Sequence, residues 1–296
     1  RVLCEPEIVK YAMISQFSEL PVTRKCRILN VSRSGYYDWR NRGMSQQQMA
    51  NAVLDVHIQR IYKEHAGRYG YRRICVVLCD LGISASFERI RRRMKRLKLR
   101  GIQSRKFKQT TNSKHNLPIK PNLLEQNFIT VKANQAWVGD ITYIRVKQQW
   151  LYLAVVIDLY SRKVIGWQLG EKINSNLVAE ALKLALKNRS YPRDVIMHTD
   201  RGSQYCSGQY QQLIKTYGLR ASMSGKGSCY DNAACESFFH TLKVEWVYQH
   251  CFENTDHART SIFWYIEAYY NRKRKHSTLG YLSPVNFEQA KIKLAA

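Results

Sequence analysis

The sequence has 296 residues, 45% of them hydrophobic, so it is long enough for two or three domains with buried cores and too apolar for wholesale disorder. Its 48 Lys and Arg against 22 Asp and Glu give a net charge of +26, which points to a polyanionic partner, either nucleic acid or an anionic membrane. No apolar run approaches the roughly eighteen residues of a membrane span, and the N-terminus lacks a secretory hydrophobic region, so nucleic acid is the expected partner.

The eight cysteines include no C-x-x-C pair. With no signal peptide in view, we expect reduced thiols and a cytoplasmic protein. His57, His65, Cys75 and Cys79 occur in an order that would suit zinc. However, Cys75 and Cys79 stand at helical spacing in an apolar stretch, which favours two buried cysteines on a helix face.

Residues 1–43 predict a small helical unit. We expect helices over 7–17 and 21–29, followed by a basic, aromatic helix that begins after Ser32 as its N-cap. A helix, a short turn and a basic helix form the outline of a helix-turn-helix unit that binds DNA. A helical hairpin with a basic face is the alternative.

Residues 44–102 predict a second and stronger helix-turn-helix-like region. One amphipathic helix covers 44–65, and the next runs to the position before Gly82, which suits a helix C-terminus. Ser84 or Ser86 caps a third helix.

That third helix runs into the densest positive charge of the chain. Residues 89–108 hold eleven Lys and Arg, and no acid occurs between Glu88 and Glu125. Each phosphate that such a segment neutralises releases counterions, which predicts salt-sensitive, sequence-independent binding to DNA. A solvated helix face is the alternative, although interspersed acids would then be expected. The predicted DNA contacts of this region are Arg72, Arg73, Arg91, Arg92, Arg93, Lys95, Arg96 and Lys98. Residues 103–124 predict a basic linker.

From residue 125 the pattern becomes that of an α/β domain, which we expect to cover 125–250. Strands are predicted at 135–146, 150–159, 162–169, 194–199 and 219–223, with helices at 175–188 and 207–217. Three strands in succession and then alternating helices and strands predict a mixed five-stranded sheet with flanking helices. The glycine-rich stretch 224–230, which contains Lys226, lacks a phosphate-loop pattern and is interpreted as a mobile loop beside the active site.

Three acids lie in or directly after these elements. Asp140 lies in the first strand, Asp200 follows the fourth strand, and Glu236 lies on the next helix. His240 and Lys243 follow Glu236 at helical spacing, so the three would share one face while the opposite face is apolar. Ordinary surface ion pairs are the alternative for this helix.

Residues 251–296 predict a C-terminal helix and a basic tail. The helix is expected over 256–271. The tail, with Arg272 and Arg274, is either another phosphate-binding patch or a solvated end.

Several motifs occur in an order that resembles a known family. Their most telling positions are Asn134, Trp137, Asp140, Tyr143, Asp158, Arg162, His198, Asp200, Gly202, Asp231, Asn232, Glu236 and Lys243. They are similar to the integrase core of bacterial insertion-sequence transposases, in particular the second-reading-frame (OrfB-type) product of the insertion-sequence-three family. Residues 68–73 resemble that family's second helix-turn-helix, and residues 270–284 resemble its C-terminal signature, so the likeness covers nearly the whole chain.

The resemblance implies an α/β ribonuclease-H-like catalytic core preceded by all-α helix-turn-helix regions. It implies that Asp140, Asp200 and Glu236 are the catalytic and metal-binding residues, and that Lys243 contacts the DNA end as in related retroviral integrases. Two Mg²⁺ ions per active site, replaceable by Mn²⁺, would suit such carboxylates. We favour a core role for His198, with support of the site as the alternative, and a structural role for Asp158.

The implied function is cleavage at transposon ends and strand transfer by attack of a 3′-OH on target DNA. The implied partners are double-stranded DNA, both ends and target, and a homodimer or higher oligomer on that DNA. The product of the upstream frame, or a fusion with it, is a further expected partner, and a bacterial, nucleoid-associated location follows. Two alternatives stay open, a catalytically silent DNA-binding regulator and a structure-specific nuclease on the same fold.

Overall fold

The structure, a computed structural model, describes residues 7–16, 20–43, 45–102, 120–124, 130–147, 149–225 and 232–295. The chain forms two compact units. The helical unit comprises Arg1–Ala66 and Val77–Arg100, and the sheet unit comprises Gly67–Val76 and Gly101–Ala296. Residues 67–76, expected within the second helix-turn-helix region, thus belong to the sheet unit. Among the helices of the described residues, none combines the length and apolarity that a membrane span requires.

The described part of residues 1–102 is helical. Its helices are α1 (Glu7–Gln16), α2 (Val22–Ile28), α3 (Arg33–Asn41), α4 (Gln46–Glu64), α5 (Tyr71–Asp80) and α6 (Phe87–Arg96). Ser32, Ser45 and Ser86 cap α3, α4 and α6, because each hydroxyl accepts a hydrogen bond from the backbone N–H three residues later. Gly82 has a φ of +75° directly after the α5 turn, as expected of a glycine that ends a helix. The helices predicted here are confirmed.

In the described residues of the sheet unit, five strands form one sheet. They are β1 (Ala136–Val146), β2 (Gln149–Asp158), β3 (Val164–Gly170), β4 (Ile196–Thr199) and β5 (Arg220–Met223). Their order is β3-β2-β1-β4-β5. The first three are antiparallel neighbours, whereas β4 pairs in parallel with both β1 and β5. The predicted mixed five-stranded sheet is confirmed.

Helices cover both faces of this sheet. They are α7 (Ser175–Asn188), α8 (Ser203–Cys206), α9 (Gly208–Thr216), α10 (Ala233–Glu245) and α11 (Thr255–Phe263). Successive strand residues point to opposite faces, so Trp137 packs with residues of α7 and α9, whereas Val138 packs with residues of α10 and α11. Gly166 lets β3 approach α7 closely, since a Cβ atom there would lie 2.6 Å from the backbone nitrogen of Ala185. The site therefore rests on a sheet that is buried on both sides.

The C-terminal region contains more structure than the predicted helix and tail. After α11 the chain continues as a π-helix over Trp264–Tyr270, a short 3₁₀ turn at Ser277–Leu279 and a further helix, α12 (Pro284–Ala295), which the sequence analysis missed. Glu288 on α12 forms ion pairs with Arg189 and Lys163. These contacts bind α12 to the sheet unit.

The predicted linker lies only partly within the described residues, since 103–119 fall outside them. Residues 120–124 pack against β5: the backbone N–H of Leu123 donates to the Ser222 hydroxyl at 2.9 Å. Leu124 is buried in the core of the sheet unit. The end of the predicted linker is therefore part of the folded sheet unit.

Candidate active site

Two of the three candidate acids lie side by side on neighbouring strands, Asp140 within β1 and Asp200 directly after β4. Gly139 of β1 pairs with Thr199 of β4 in parallel register, and each is followed directly by an aspartate, Asp140 or Asp200. Asp140 accepts a hydrogen bond from the backbone N–H of Ile141 at 2.7 Å. Asp200 accepts one from the N–H of Gly202 at 2.9 Å. These local bonds fix the direction of both carboxylates, which lie next to each other on adjacent strands.

The third acid, Glu236, lies in the first turn of α10 and is exposed. The helix begins next to β1, since the side-chain amide of Asn232 donates to the carbonyl of Gly139 at 3.4 Å. That contact brings the start of α10 to the residue before Asp140. Asn232 is thus a positioning residue whose role the sequence analysis did not assign, although it quoted the residue in a motif.

The charges of the three acids act on one another. Burial raises the pKa of Asp140 well above its ordinary value, and the charges of Asp200 and Glu236 raise it further, against the lowering effects of the Ile141 N–H and of Lys243. Partial burial also raises the pKa of Glu236. A cation placed among these groups would relieve the repulsion between them.

The donors in this cluster suit a hard divalent cation. All three side chains offer carboxylate oxygens, which Mg²⁺ prefers and which it takes in small numbers because it keeps several waters. Among the described residues, however, no group of three or more His, Cys, Asp or Glu side chains is arranged to enclose a metal ion. The carboxylates therefore fit such an ion in their chemistry and mutual repulsion, while Glu236 stands open to solvent.

Lys243 departs from the expected open face of α10. Glu236 and His240 are exposed on that helix, but Lys243 is only 4% exposed. Its ammonium lies 3.9 Å from the centroid of the Tyr143 ring, within the range of a cation–π contact. Burial lowers the pKa of Lys243 to about 8, against the raising effect of Asp140. The lysine therefore belongs electrostatically to the carboxylate cluster instead of to the solvated helix face.

Comparison with known proteins shows which family contains this chain. A family model described as "Integrase core domain" matches residues 130–229, a second of the same description matches 217–284, and one described as "HTH-like domain" matches 48–107. The chain is 44% identical to Transposase InsF for insertion sequence IS3A of Escherichia coli (strain K12), over 96% of this chain and all of that protein. The chain belongs to the IS3 family of transposases.

A second relative agrees with that membership. An insertion element IS600 protein of 31 kDa from Shigella sonnei is 42% identical over 92% of this chain and its own full length. A chain of the simian T-cell lymphotropic virus intasome, solved in complex with the PP2A regulatory subunit B56 gamma, is 16% identical. It covers 78% of this chain and 74% of its own, with a TM-score of 0.45. The integrase core and the helix-turn-helix-like region predicted from the sequence are confirmed, and they place the chain among enzymes that transfer polynucleotide strands.

Two further polar residues near the site are structural. His198 is fully buried, and its two ring nitrogens lie 2.8 Å from the Ser222 hydroxyl and 3.2 Å from that of Ser224. Asp158 is also fully buried, accepts a hydrogen bond from the N–H of Asn134 and pairs with Arg189 at 3.0 Å. These contacts agree with the core roles favoured for both residues.

The predicted DNA contacts on and just after α6 differ in their exposure and in their ion pairs. Arg91 and Arg92 are exposed and pair with Glu88 on the same helix. Arg93 is half-buried and donates to both carboxylate oxygens of Asp55. Because Asp55 already neutralises it, Arg93 is a packing residue of the helical unit and not an open phosphate contact. The exposed cations of this segment are Arg91, Arg92, Lys95, Arg96 and Lys98.

The expected phosphate-binding tail is corrected at Arg274. This residue is 5% exposed, and its guanidinium donates to both oxygens of Glu245 at 2.9 and 2.7 Å. The Tyr265 hydroxyl donates to the same carboxylate at 3.1 Å. Burial and then the charge of Arg274 lower the pKa of His276 to about 2, so this histidine adds no positive charge near neutrality. Arg272 is exposed and stays a predicted contact.

Two arginines of the predicted second helix-turn-helix also contact Glu245. Arg68 is buried, donates to the backbone carbonyl of Glu245 at 3.2 Å and lies 4.4 Å from the Tyr269 ring centroid. Arg73 is half-buried and lies 3.6 Å from the Glu245 carboxylate. Arg72, between them in the chain, is exposed and stays a predicted DNA contact.

The remaining expectations concern the glycine-rich loop and the cysteines. Lys226 and residues 226–231 lie outside the described residues. Cys75 is half-buried and Cys79 is exposed, so the expectation that both are buried is wrong. Cys79 points outward because the apolar face of α5 is formed by residues such as Leu78 instead.

Proposed function

We propose that this chain cleaves the ends of its insertion sequence and joins them to target DNA through a site built on Asp140, Asp200 and Glu236. The observation that carries the proposal is that Asp140, within β1, and Asp200, directly after β4, each follow one residue of the paired Gly139 and Thr199 on neighbouring parallel strands, with the start of α10 bonded to Gly139. Membership of the transposase family supports the reaction class. The basic charge of the chain suits the DNA substrate.

We propose that the three carboxylates would hold two Mg²⁺ ions, with Mn²⁺ as a substitute. When bound, the ions would activate the attacking oxygen and stabilise the leaving oxygen of the phosphodiester. The bonds from Ile141 and Gly202 hold the two aspartate side chains in fixed orientations. The raised pKa of Asp140 reflects crowded negative charge, which supports a role in binding cations.

We further propose that Lys243 binds a phosphate at the DNA end next to these carboxylates. Its charge acts on Asp140, and the Tyr143 ring holds its ammonium in place. Because the lysine is buried, it would order a strand close to the site instead of attracting DNA from a distance. His240, which is exposed one turn earlier on α10, stays a proposed contact of the same DNA.

The helical unit would supply most of the affinity for duplex DNA. The exposed cations of α6 and the residues after it form a run that neutralises phosphates irrespective of sequence. Because two transposon ends must be paired, we propose a homodimer or higher oligomer on DNA. The product of the upstream frame, or a fusion with it, would add recognition of the end sequence.

The decisive experiment is a strand-transfer assay on labelled end DNA with Mg²⁺. Wild type should cleave and join, and Asp140→Asn should do neither while it still binds DNA. Asp194→Asn is the matched control, because Asp194 is an exposed sheet-unit aspartate paired only loosely with Arg220 at 3.8 Å. Full joining by Asp140→Asn would refute the site.

Two other outcomes discriminate between the alternatives. If the wild-type protein binds end DNA but neither cleaves nor joins it with Mg²⁺ or Mn²⁺, the chain is a DNA-binding regulator. If it cleaves the DNA but never joins the products, it is a structure-specific nuclease.

A further inference from the structure

A groove of about 490 Å³ opens beside Lys243 in the sheet unit. The β1–β2 hairpin lines one side with Tyr143 and Trp150, and Tyr248, just after α10, lines the other. The volume falls within the range of pockets that hold small organic groups. We call this recess the Tyr143 groove. Lys243, whose charge acts on Asp140, is one of its lining residues.

The aromatic rings of the Tyr143 groove are unusually open to solvent. Tyr143, Trp150 and Tyr248 are 39%, 48% and 60% exposed. Tyr143 and Trp150 meet edge to face with ring centroids 5.3 Å apart, the Lys243 ammonium lies 3.9 Å from the Tyr143 centroid, and the Arg145 guanidinium lies 6.0 Å from the Trp150 centroid. The exposed surface of Trp150 and Tyr248 is what remains open to a ligand. Large apolar side chains that are exposed together in a recess are typical of a binding surface, whereas single exposed apolar residues are common on any protein.

The cations of the groove follow from the strand register. Arg145 pairs with Trp150 across the hairpin, and it alternates with buried neighbours along β1 as Tyr143 does. These side chains therefore project from the same face of the sheet. Lys147 and Lys243 also line the groove, and none of its described lining residues is acidic.

This combination of flat rings and cations matches one kind of ligand. Rings stack on nucleobases whatever their identity, while neighbouring cations neutralise the phosphates of the strand. In a duplex the base faces are covered by stacking on their neighbours, so a groove of this type suits nucleotides that have left the helix. A peptide would also find aromatic residues here, but nothing acidic in the groove would pair with its cations.

The groove lies close to Asp140 along β1. Asp140 and Tyr143 are three residues apart on β1, a distance of roughly 10 Å along an extended strand. That span corresponds to about three stacked nucleotides at a rise of roughly 3.4 Å. Because side chains three residues apart point to opposite faces of a sheet, the link between them is Lys243, whose charge acts on Asp140 and whose ammonium lies 3.9 Å from the Tyr143 ring centroid. A DNA strand that passes Lys243 would reach the groove within a few nucleotides of Asp140.

We propose that the Tyr143 groove binds one or two unpaired nucleotides at a DNA end, by stacking them on Trp150 and Tyr248, while the neighbouring phosphodiester lies at Asp140. The inference rests on the proposed cleavage function for its biological setting. The binding itself needs no chemistry. It can therefore be measured without divalent metal, a condition in which the proposed cleavage does not occur.

The test measures binding of the full-length chain to end DNA by fluorescence anisotropy in the presence of a chelator. The probes are a blunt duplex and the same duplex with a three-nucleotide single-stranded extension, on either strand. Wild type should bind one extended probe at least tenfold more tightly than the blunt probe. Trp150→Ala should reduce affinity for that probe by roughly 5- to 150-fold and leave affinity for the blunt probe unchanged.

Two further variants separate stacking from folding. Trp150→Phe keeps a flat ring and should retain most of the preference, whereas Tyr248→Ala should lose it as Trp150→Ala does. Tyr191→Ala is the matched control, because Tyr191 is 53% exposed in the sheet unit and is not among the residues that line the groove. A 2-aminopurine in the extension should be quenched on binding to wild type and less so with Trp150→Ala.

Other results overturn the proposal. Equal wild-type affinity for blunt and extended probes would do so, as would a Trp150→Ala variant that keeps the preference. If Trp150→Ala and Tyr248→Ala change self-association in sedimentation but not the probe preference, the groove is a contact between protein chains and the nucleotide assignment is wrong. Asp140→Asn should keep the preference, so a failed cleavage proposal and a failed groove proposal give different results.

Discussion

Replacing Glu245 by alanine should strongly destabilise the sheet unit. The carboxylate is 7% exposed and accepts both guanidinium bonds of Arg274, while Arg73 lies 3.6 Å away and the Tyr265 hydroxyl donates to it. Without it, the Arg274 charge stays buried with no counter-charge. Removing one partner of such a pair costs about 3–5 kcal/mol. With a urea m value of about 3 kcal/mol/M, the unfolding midpoint should fall by about 1 to 1.7 M.

Tryptophan fluorescence is the suitable assay for Glu245→Ala, because all but one of the six tryptophans lie in the sheet unit. Glu180→Ala is the control, since its carboxylate forms an exposed pair with Lys183 on α7 and such pairs contribute at most about 1 kcal/mol. A double variant, Glu245→Leu with Arg274→Met, removes both charges and should recover most of the lost stability. If Glu245→Ala unfolds at the same urea concentration as Glu180→Ala, the buried pair does not hold the C-terminal segment.

Three further predictions concern packing and pH. Gly166→Ala should destabilise the protein by about 1–3 kcal/mol or more because its Cβ meets the α7 backbone, whereas Gly208→Ala, with open space around it, should change stability by less than about 1 kcal/mol in urea unfolding. The pKa of Asp140 is raised in the folded state, so its charge opposes folding at neutral pH. With metal chelated, Asp140→Asn should be more stable than wild type at pH 7, and the gap should close as the pH falls below the ordinary value of 3.8. Because the pKa of Lys243 is about 8, wild-type affinity for end DNA should fall roughly tenfold as the pH rises through 8 in anisotropy titrations. The Lys243→Arg variant stays charged and should not show that fall. If its pH profile is the same as that of the wild type, the phosphate contact is contradicted.

Local signals in the sequence predict much of this fold. The bounds of α7 follow from its apolar spacing and from a cap, since the Asn174 side chain accepts from the N–H of Leu177. The sequence also predicts β1, which bears Asp140, and β4, because both are rich in apolar residues. The polar residues after β4 predict the turn that contains Asp200. Motif order then identifies which acids belong together, because the contacts that join them cross long stretches of chain.

The errors arise where a distant residue changes the environment of a local pattern. Helical spacing assigns Lys243 to the face of Glu236, but Tyr143, about a hundred residues earlier in the chain, covers it. The basic run after residue 271 looks like an exposed tail, yet Glu245 draws Arg274 into the interior. Charge counting cannot distinguish an arginine that faces solvent from one that is paired inside the protein.

These corrections narrow where DNA can be bound. Arg68, Arg93 and Arg274 are occupied by internal partners, so they cannot contribute to counterion release on binding. Besides Arg72 and Arg272, two sets of cations remain among the candidates, the exposed ones on α6 and the residues after it, and those that line the Tyr143 groove. The first set suits sequence-independent attraction of a duplex, whereas the second sits beside the carboxylates among aromatic rings. We therefore expect affinity and positioning to depend on different cations. Substitutions at Lys95 or Arg96 should weaken binding of every DNA, and substitutions at Trp150 should alter only how an end is held.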